Sequence, residues 1–241
     1  MVFNCALFFS VVCSRSSSLY PSFRLKNGLR NFYVTAMPKT RDEAMPNLKS
    51  QRNSKFPLYC GVLSPIAAFV LVSLAILISP WWSWTENALS DLGVDGTNAL
   101  LFNSGLILSA ILFFIFVLGG LKRFFQNQVI GRIGVFFLVL VAVFLFLIGV
   151  FPEPTPYRLH IIVSVGFFAT LVLSLLILAA ALLRIPSERK IGVFTLTLAI
   201  IALLPWVIPN PWKGVAIPEL VAALAEAVWS VTMSIRLLMS S

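Results

Sequence analysis

The sequence of 241 residues contains few charged side chains. Asp, Glu, Lys and Arg together make up 11% of it, whereas a soluble globular domain has roughly a quarter. Apolar residues make up 59%, and 18 basic with 9 acidic side chains cannot cover the surface of a soluble chain of this length. This shortage excludes a soluble enzyme and a disordered chain, and it leaves an integral membrane protein.

Cysteine and histidine are also scarce. The three cysteines (Cys5, Cys13 and Cys60) form no CxxC pair, and His160 is the only histidine of the chain. These counts exclude a disulfide scaffold and argue against zinc, paired-histidine haem and iron–sulfur sites. The sequence also lacks a nucleophile elbow, a P-loop, a GxGxxG fingerprint and an HExxH motif. We therefore expect neither a metal nor a cofactor.

The positive charge is concentrated near the N-terminus. Residues 1–55 hold 9 Lys and Arg against Asp42 and Glu43, and no nucleic-acid-binding motif accompanies them. Because this basic segment leads directly into a hydrophobic run, membrane lipids are the expected partner and nucleic acid is not. We expect 1–50 to be disordered. It has two explanations: a transit-like peptide, which its Ser- and Arg-rich, acid-free composition resembles, or a start assigned too early, with Met37 or Met45 as the true one.

Six hydrophobic stretches are long enough to cross about 30 Å of hydrocarbon. Prolines and Gly119–Gly120 separate them, since both residues interrupt helices. The predicted helices are near 57–79, 98–121, 130–151, 157–183, 190–208 and 217–238. We therefore predict an all-α fold, a polytopic bundle of six transmembrane helices that forms a single domain over 57–238.

Lys and Arg alternate between the two sides of this bundle. The side that holds both termini carries 16 of them and the other side carries 2. By the positive-inside rule, both termini are cytoplasmic, and we expect the cell membrane as the location. Five tryptophans at the opposite, outer boundary agree with this orientation, because amphipathic rings favour the headgroup layer.

The first outer loop carries helix signals of its own. Ser83 and Glu86 have the spacing of a capping box, and Gly93 suits a left-handed helix end. These residues predict a short interfacial helix at about 84–92, in which Ser83 and Glu86 have capping roles. Asp91 has no such structural explanation, and this makes it a candidate catalytic residue.

The second outer loop and the fourth helix supply two further candidates, Glu153 and His160. Glu153 either pairs with Arg158 or points to water. His160 is either a hydrogen-bonded anchor or a group that changes charge near neutral pH. A carboxylate–histidine pair of Asp91 or Glu153 with His160 would suit acid–base chemistry.

The sixth helix carries two acidic residues, Glu219 and Glu226. Glu219 lies in the first turn, where the helix dipole favours it. Glu226 lies about 10 Å deeper, near mid-membrane, where a carboxylate is expensive unless it is protonated or paired. It is either a proton- or cation-handling group or a neutral side chain bonded to another helix, for example to Asn103, Ser104 or Thr195. We count Glu219, Glu226 and Asn103 as intramembrane polar residues.

Four stretches carry a resemblance to a known family: LSPIAAFVLVSLAILISPWWSWTENALSDLGV, LLFNSGLI, GRIG and GVFPEPTPYRLHIIVS. They resemble the archaeal branch of the family called domain of unknown function 998. The resemblance covers the six-helix body and implies an integral membrane protein without an assigned activity. The layout of polar loops and the His-bearing fourth helix is similar to DRAM- and Sfk-type membrane proteins, which include a factor for GPI-lipid remodelling. That likeness of pattern implies lipid handling.

Three functions remain open at this point. The chain acts on lipids or another amphiphile at the outer leaflet, or it serves as a non-catalytic scaffold. The alternative is a small transporter coupled to protons or cations through Glu226. We favour a lipid-related or membrane-structural role, because the chain is small and shows no inverted repeat. Neither catalysis nor the oligomeric state can be predicted from these residues.

Overall fold

The computed structural model describes residues 55–153 and 155–240, so the expected disorder of 1–50 lies outside the described residues. Within them the chain is helical and has no strand. All six predicted helices are confirmed, and each is long and apolar enough to cross a membrane. They are α1 (Phe56–Leu77), α2 (Gly96–Phe116), α3 (Val129–Val150), α4 (Leu159–Leu183), α5 (Arg189–Val207) and α6 (Ala216–Ser240).

Local sequence explains most of the helix ends. Pro57 lies in the first turn of α1, where its missing N–H is not needed. Asp95 precedes α2 in an extended conformation, and Gly96 follows with a φ of 72°, a left-handed value that glycine adopts without strain. α2 does not stop at Phe116 but continues through a π-helical turn, Val117–Leu121, into Lys122–Phe124. The glycine pair 119–120 lies within this turn.

The helices form a closed ring in chain order. Each packs against its neighbour in sequence, and α6 packs against α1 as well as α5. Polar contacts join the helices: Ser64 Oγ lies 3.0 Å from Ser109 Oγ between α1 and α2, and Ser230 Oγ donates to the Gly61 carbonyl between α6 and α1. Small residues at such contacts allow two helices to approach closely. Close packing and hydrogen bonds then hold the helices together, because in lipid no hydrophobic effect drives their association.

The two ends of the ring differ in charge. The connections 78–95, 151–158 and 208–215 lie at one end, which carries Glu86, Asp91, Asp95 and Glu153 and is called the acidic end below. The opposite end carries eight of the ten described Lys and Arg residues, and is called the basic end. Exposed aliphatic side chains cover the outer faces of the helices between the two ends, as expected for surfaces in contact with lipid.

The short interfacial helix predicted at 84–92 is wrong. Residues 84–86 form turns, and only Ser90–Gly93 is helical, as a single 3-10 turn. Apart from this turn, the segment closes a single helical-type bond, from the Asn87 N–H to the Ser83 carbonyl, and otherwise pairs with the connection before α6. The Thr85 carbonyl accepts from Gly214 N–H at 2.9 Å and the Asn87 carbonyl accepts from Ala216 N–H at 3.1 Å. Gly93 was predicted to be left-handed, but the described glycine with a positive φ is Gly96.

The capping box predicted for that helix is also absent. Glu86 forms an exposed ion pair with Lys213, at 2.9 Å, and Asn87 Oδ1 accepts from the Ser83 N–H at 3.0 Å. This ion pair raises the pKa of Lys213. Ser83 and Glu86 therefore make a loop contact and a long-range contact within the chain, because tertiary pairing with 213–216 replaces local capping.

Candidate functional site

A groove opens on the side of the ring near the acidic end. It has a volume of about 550 Å³. Its polar end is formed by Glu153, His160 and Glu219. The rest of its wall comes mainly from apolar side chains of α4 and α5, which are Ile161, Val165, Phe168, Ala169, Val172, Leu173, Leu176, Leu203 and Trp206. We call this feature the lateral groove.

Two rings shape the wall of the lateral groove. Phe168 of α4 and Trp206 of α5 pack with their centroids 4.6 Å apart. Half-exposed aliphatic side chains of α4 continue the groove away from the acidic end. The groove is therefore amphipathic, with ionisable groups at one end and a long apolar surface leading from them.

A second cavity, of about 180 Å³, lies inside the ring. Side chains from five of the six helices line it, those of α5 excepted, together with Trp84, Leu89 and Ser90 of the first connection. We call it the central cavity. It shares Ser90, Ser164, Phe168 and Glu219 with the lateral groove, so these four residues form a common wall between the two spaces.

Glu226 lines the central cavity. Ten residues separate it from the start of α6, which places it about 15 Å along the helix axis and near the middle of the span. Its Oε1 is buried and has no hydrogen-bond partner in the described part of the chain. The predicted partners Asn103, Ser104 and Thr195 each donate to a backbone carbonyl elsewhere. Of the two alternatives for Glu226, the tether to one of these three residues is wrong.

Glu219 lies in the common wall, one helical turn from the start of α6. Its Oε2 accepts a hydrogen bond from the Leu89 N–H at 2.6 Å. The carboxyl therefore ties the first connection to α6, across 130 residues of sequence. The same carboxyl lines both the central cavity and the lateral groove. Stabilisation by the helix dipole, the role predicted for Glu219, does not explain this position.

Asp91 and Glu153 meet at the acidic end. Asp91 Oδ2 accepts from Asn87 Nδ2 at 2.8 Å and from the Ala88 N–H at 3.0 Å, so it has the structural role that its sequence did not reveal. A side-chain hydrogen bond with Asp91 raises the pKa of Glu153 to about 7, and partial burial and the Asp91 charge act in the same direction. Glu153 thus lies beside another carboxyl and is exposed, so of its two predicted environments water is found, and no ion pair with Arg158 is formed among the described residues.

The Glu153 carboxyl makes the stability of the acidic end depend on pH. Its folded pKa is raised, so the folded chain binds more protons than the unfolded chain between about pH 4.5 and 7, and stability falls as pH rises through this window. Glu153 is exposed, so solvent screens the effect, and we expect about 1 kcal/mol or less. Thermal unfolding of the purified protein should show a higher Tm at pH 5 than at pH 7.5, and Glu153→Gln should flatten this slope. An equal slope in both proteins would contradict the assignment.

His160 is a hydrogen-bonded anchor in this structure. It is buried, and its Nδ1 lies 2.7 Å from the Phe151 carbonyl oxygen, which can only accept, so Nδ1 carries a proton. Its Nε2 lies 3.3 Å from Ser164 Oγ. The predicted carboxylate–histidine pair is therefore not made, although His160 and Glu153 line the same groove. Ser164, in turn, belongs to the common wall.

The predicted site residues thus separate into two groups. Glu153, His160, Glu219 and Glu226 line two adjoining spaces, and Asp91 lies beside Glu153. Asn103 instead holds the Gly93 carbonyl at 2.9 Å and is structural. In residues 55–153 and 155–240, no three His, Cys, Asp or Glu side chains form a group that could hold a metal ion.

Sequence reasoning missed several residues of the site. Asn87 holds Asp91, Ser164 contacts His160, and Phe168 packs on Trp206. Their residue types are ordinary for a loop or an apolar helix, and no local spacing marks them. Only the position of Ser164, one turn after His160, gave a signal that was available in the sequence.

Comparison with known proteins agrees with the resemblance found in the sequence. No curated protein and no solved structure matches the chain significantly. Residues 62–236 match the family described as protein of unknown function (DUF998), over most of the six-helix ring. This polytopic membrane protein with an acidic lateral groove therefore belongs to the DUF998 family.

Proposed function

We propose that this integral membrane protein binds an amphiphile, and specifically a membrane lipid, in its lateral groove. The apolar chain of the lipid lies along α4 and α5, and its polar head lies at Glu153, His160 and Glu219. The observation that carries this proposal is the amphipathic lining of the groove. Its volume of about 550 Å³ falls within the range of about 300–1,000 Å³ that is common for ligand sites.

The exposure of the groove supports a ligand that arrives from the bilayer. Ile161, Val165 and Leu173 line the groove and are 51%, 62% and 41% exposed. In a membrane-spanning bundle such surfaces face lipid and not water. An acyl chain therefore enters sideways while its head stays near the acidic end, without crossing the helix ring.

Filling the groove should remove the lipid. Ala169 is exposed on the groove wall, and Ala169→Trp places a large ring where the chain would lie. Native mass spectrometry of the detergent-solubilised protein should show one retained lipid per wild-type chain and at least about tenfold less in the variant, since losing about 1.4 kcal/mol already has that effect.

The matched control is Ala180→Trp. Ala180 is also exposed on α4, eleven residues further along and on nearly the same face, but outside the groove. This variant should retain lipid as the wild type does. A wild-type protein that retains no lipid, or an Ala169→Trp protein that retains as much as the control, would refute the groove as a lipid site.

We also propose that both termini are cytoplasmic, which places the acidic end and the head of the lipid on the outer side of the cell membrane. The surplus of Lys and Arg at the basic end supports this orientation. A Thr85→Cys variant should react with an impermeant maleimide added to intact cells, because Thr85 is exposed at the acidic end. Labelling only after the cells are opened would show that the acidic end faces the cytoplasm.

A second candidate is a transporter coupled to protons or cations, and the unpartnered Glu226 favours it. Glu219, in the wall between groove and cavity, would be the relay towards the acidic end. Flux in proteoliposomes that is unchanged by Glu226→Gln would remove this candidate. If the role of the protein is purely structural, neither retained lipid nor flux in proteoliposomes should be observed.

A further inference from the structure

The central cavity combines an apolar lining with one unsatisfied carboxyl. Its wall is formed mostly by aliphatic and aromatic side chains, among them Phe69, Phe102 and Phe167. Glu226 lines the cavity near mid-membrane, and its buried Oε1 receives no hydrogen bond from the described residues. A buried acceptor without a partner costs free energy, so this atom requires a donor from within the cavity.

The neighbouring hydroxyls do not supply that donor. Ser109 Oγ lies 3.0 Å from Ser64 Oγ, and Ser164 Oγ lies 3.3 Å from His160 Nε2. Among the side chains that line the central cavity in the described chain, none belongs to Lys, Arg or His. The nearest basic side chain of α6 is Arg236, which is ten residues further along and bonded to Glu188. The described residues therefore place no basic side chain in the cavity with Glu226 and leave its Oε1 without a hydrogen bond.

We propose that the central cavity is a binding site for a small organic cation, an amine with a compact apolar body, and that the Glu226 carboxylate is its counter-ion. The ammonium group supplies a hydrogen-bond donor for Oε1 and a positive charge opposite the carboxylate. The apolar wall of the cavity contacts the body of the ligand. This site does not depend on what occupies the lateral groove. The proposal gives the transporter candidate a class of substrate, and to that extent it rests on that candidate.

The size of the cavity limits the ligand. An apolar cavity of about 150 Å³ accommodates benzene, so the volume of about 180 Å³ suits an amine with one six-membered ring. Ser90, Ser164, Phe168 and Glu219 form the wall between this space and the lateral groove, so the cavity adjoins a groove that opens on the side of the ring. Glu219 lies in this common wall and contributes a second acidic group.

Equilibrium binding tests the site with two probes of the same shape, benzylamine and benzyl alcohol, added to the full-length protein in detergent. Benzylamine is a cation at pH 7 and benzyl alcohol is neutral. We expect benzylamine to bind Glu226→Gln at least about 30-fold more weakly than the wild type, the effect of removing one partner of a buried, hydrogen-bonded charge pair. Benzyl alcohol should bind both proteins equally within about threefold, because Gln preserves the shape.

Two further variants complete the test. Glu86→Gln removes the same charge from an exposed position at the acidic end and should leave benzylamine binding unchanged. Ala223→Leu fills the central cavity and leaves Glu226 in place, so it should weaken both probes. If Glu226→Gln does not fold, the Ala223→Leu result decides: lost benzylamine binding supports the site, and retained binding overturns it.

The proposal is overturned if benzylamine does not bind the wild type, or if it binds wild type and Glu226→Gln with equal affinity. In the second case the carboxyl is satisfied by water alone. Because binding and not flux is measured, absence of transport in proteoliposomes would remove the transporter candidate without affecting this result.

Discussion

Gly214→Ala should strongly destabilise the acidic end. A Cβ at position 214 would overlap the backbone of Asn87, including its N, C and O atoms. Backbone atoms cannot rotate away as the end of a side chain can, so the two connections must separate. The hydrogen bonds from Gly214 N–H to Thr85 and from Ala216 N–H to Asn87 would be lost with them. We expect a loss of about 3 kcal/mol in the free energy of unfolding.

Thermal unfolding in detergent measures this effect, and lipid retention by the same protein shows whether the groove survives. Lys213→Ala is the matched control, because it changes the neighbouring residue, whose side chain is exposed. It should leave the Tm nearly unchanged, since exposed ion pairs contribute little. A Tm of Gly214→Ala within one degree of the control would show that the backbones do not approach as closely as the structure indicates.

The second large effect is expected at the basic end, where Arg236 of α6 pairs with Glu188. Arg236 Nη2 lies 2.6 Å from Glu188 Oε1, and Arg236 Nε lies 3.4 Å from Glu188 Oε2. Glu188 is buried, with 7% of its surface exposed. Arg236→Ala would leave this carboxylate without its partner. Removal of one member of a buried pair costs about 3–5 kcal/mol, and because the Arg236 side chain is 40% exposed, we expect a smaller loss of about 2 kcal/mol.

A double-mutant cycle separates the pair from its surroundings. Glu188→Gln in the Arg236→Ala background should restore most of the lost stability, because a neutral amide is less costly to bury than an unpaired carboxylate. The four proteins of the cycle are compared by thermal unfolding at one pH. Additive losses would show that the ion pair does not hold the end of α6 against the α4–α5 connection.

Both substitutions act on contacts between connections and helices that lie far apart in the sequence. Gly214 and Asn87 close the acidic end, and the pair of Arg236 with Glu188 fastens the basic end. The lateral groove is near the acidic end, and its wall includes Glu219, which accepts a hydrogen bond from the Leu89 N–H. We therefore expect Gly214→Ala to reduce lipid retention more than Arg236→Ala does.

The sequence predicted the helices well, because their signals are local. Hydrophobic length, the prolines around residues 152–156 and 209–211, and the charge between spans identified all six within a few residues. The segment 84–92 was predicted as a helix from signals of the same kind, but its backbone pairs with 214–216 instead. A capping box gives no information about a competing partner more than a hundred residues away.

The candidate residues show the same division. Their types and depths followed from the sequence: a carboxyl near mid-membrane, another in the first turn of α6, and ionisable groups in two connections. Their partners did not, since Glu153 contacts Asp91 and not Arg158, and His160 bonds to a backbone carbonyl and not to a carboxylate. Side-chain pairs of this kind depend on which helices and connections pack against each other.

By itself, the sequence determined that this protein is a six-helix membrane bundle, because hydrophobic length and helix breaks are properties of consecutive residues. Only the tertiary structure decided that Glu219 separates two spaces and that Glu226 Oε1 has no donor. The physical reason is that burial, cavity volume and hydrogen-bond satisfaction depend on five helices at once. Asn103 and Thr195 had suitable chemistry for Glu226, and the packing of α2 and α5 directs both to backbone carbonyls.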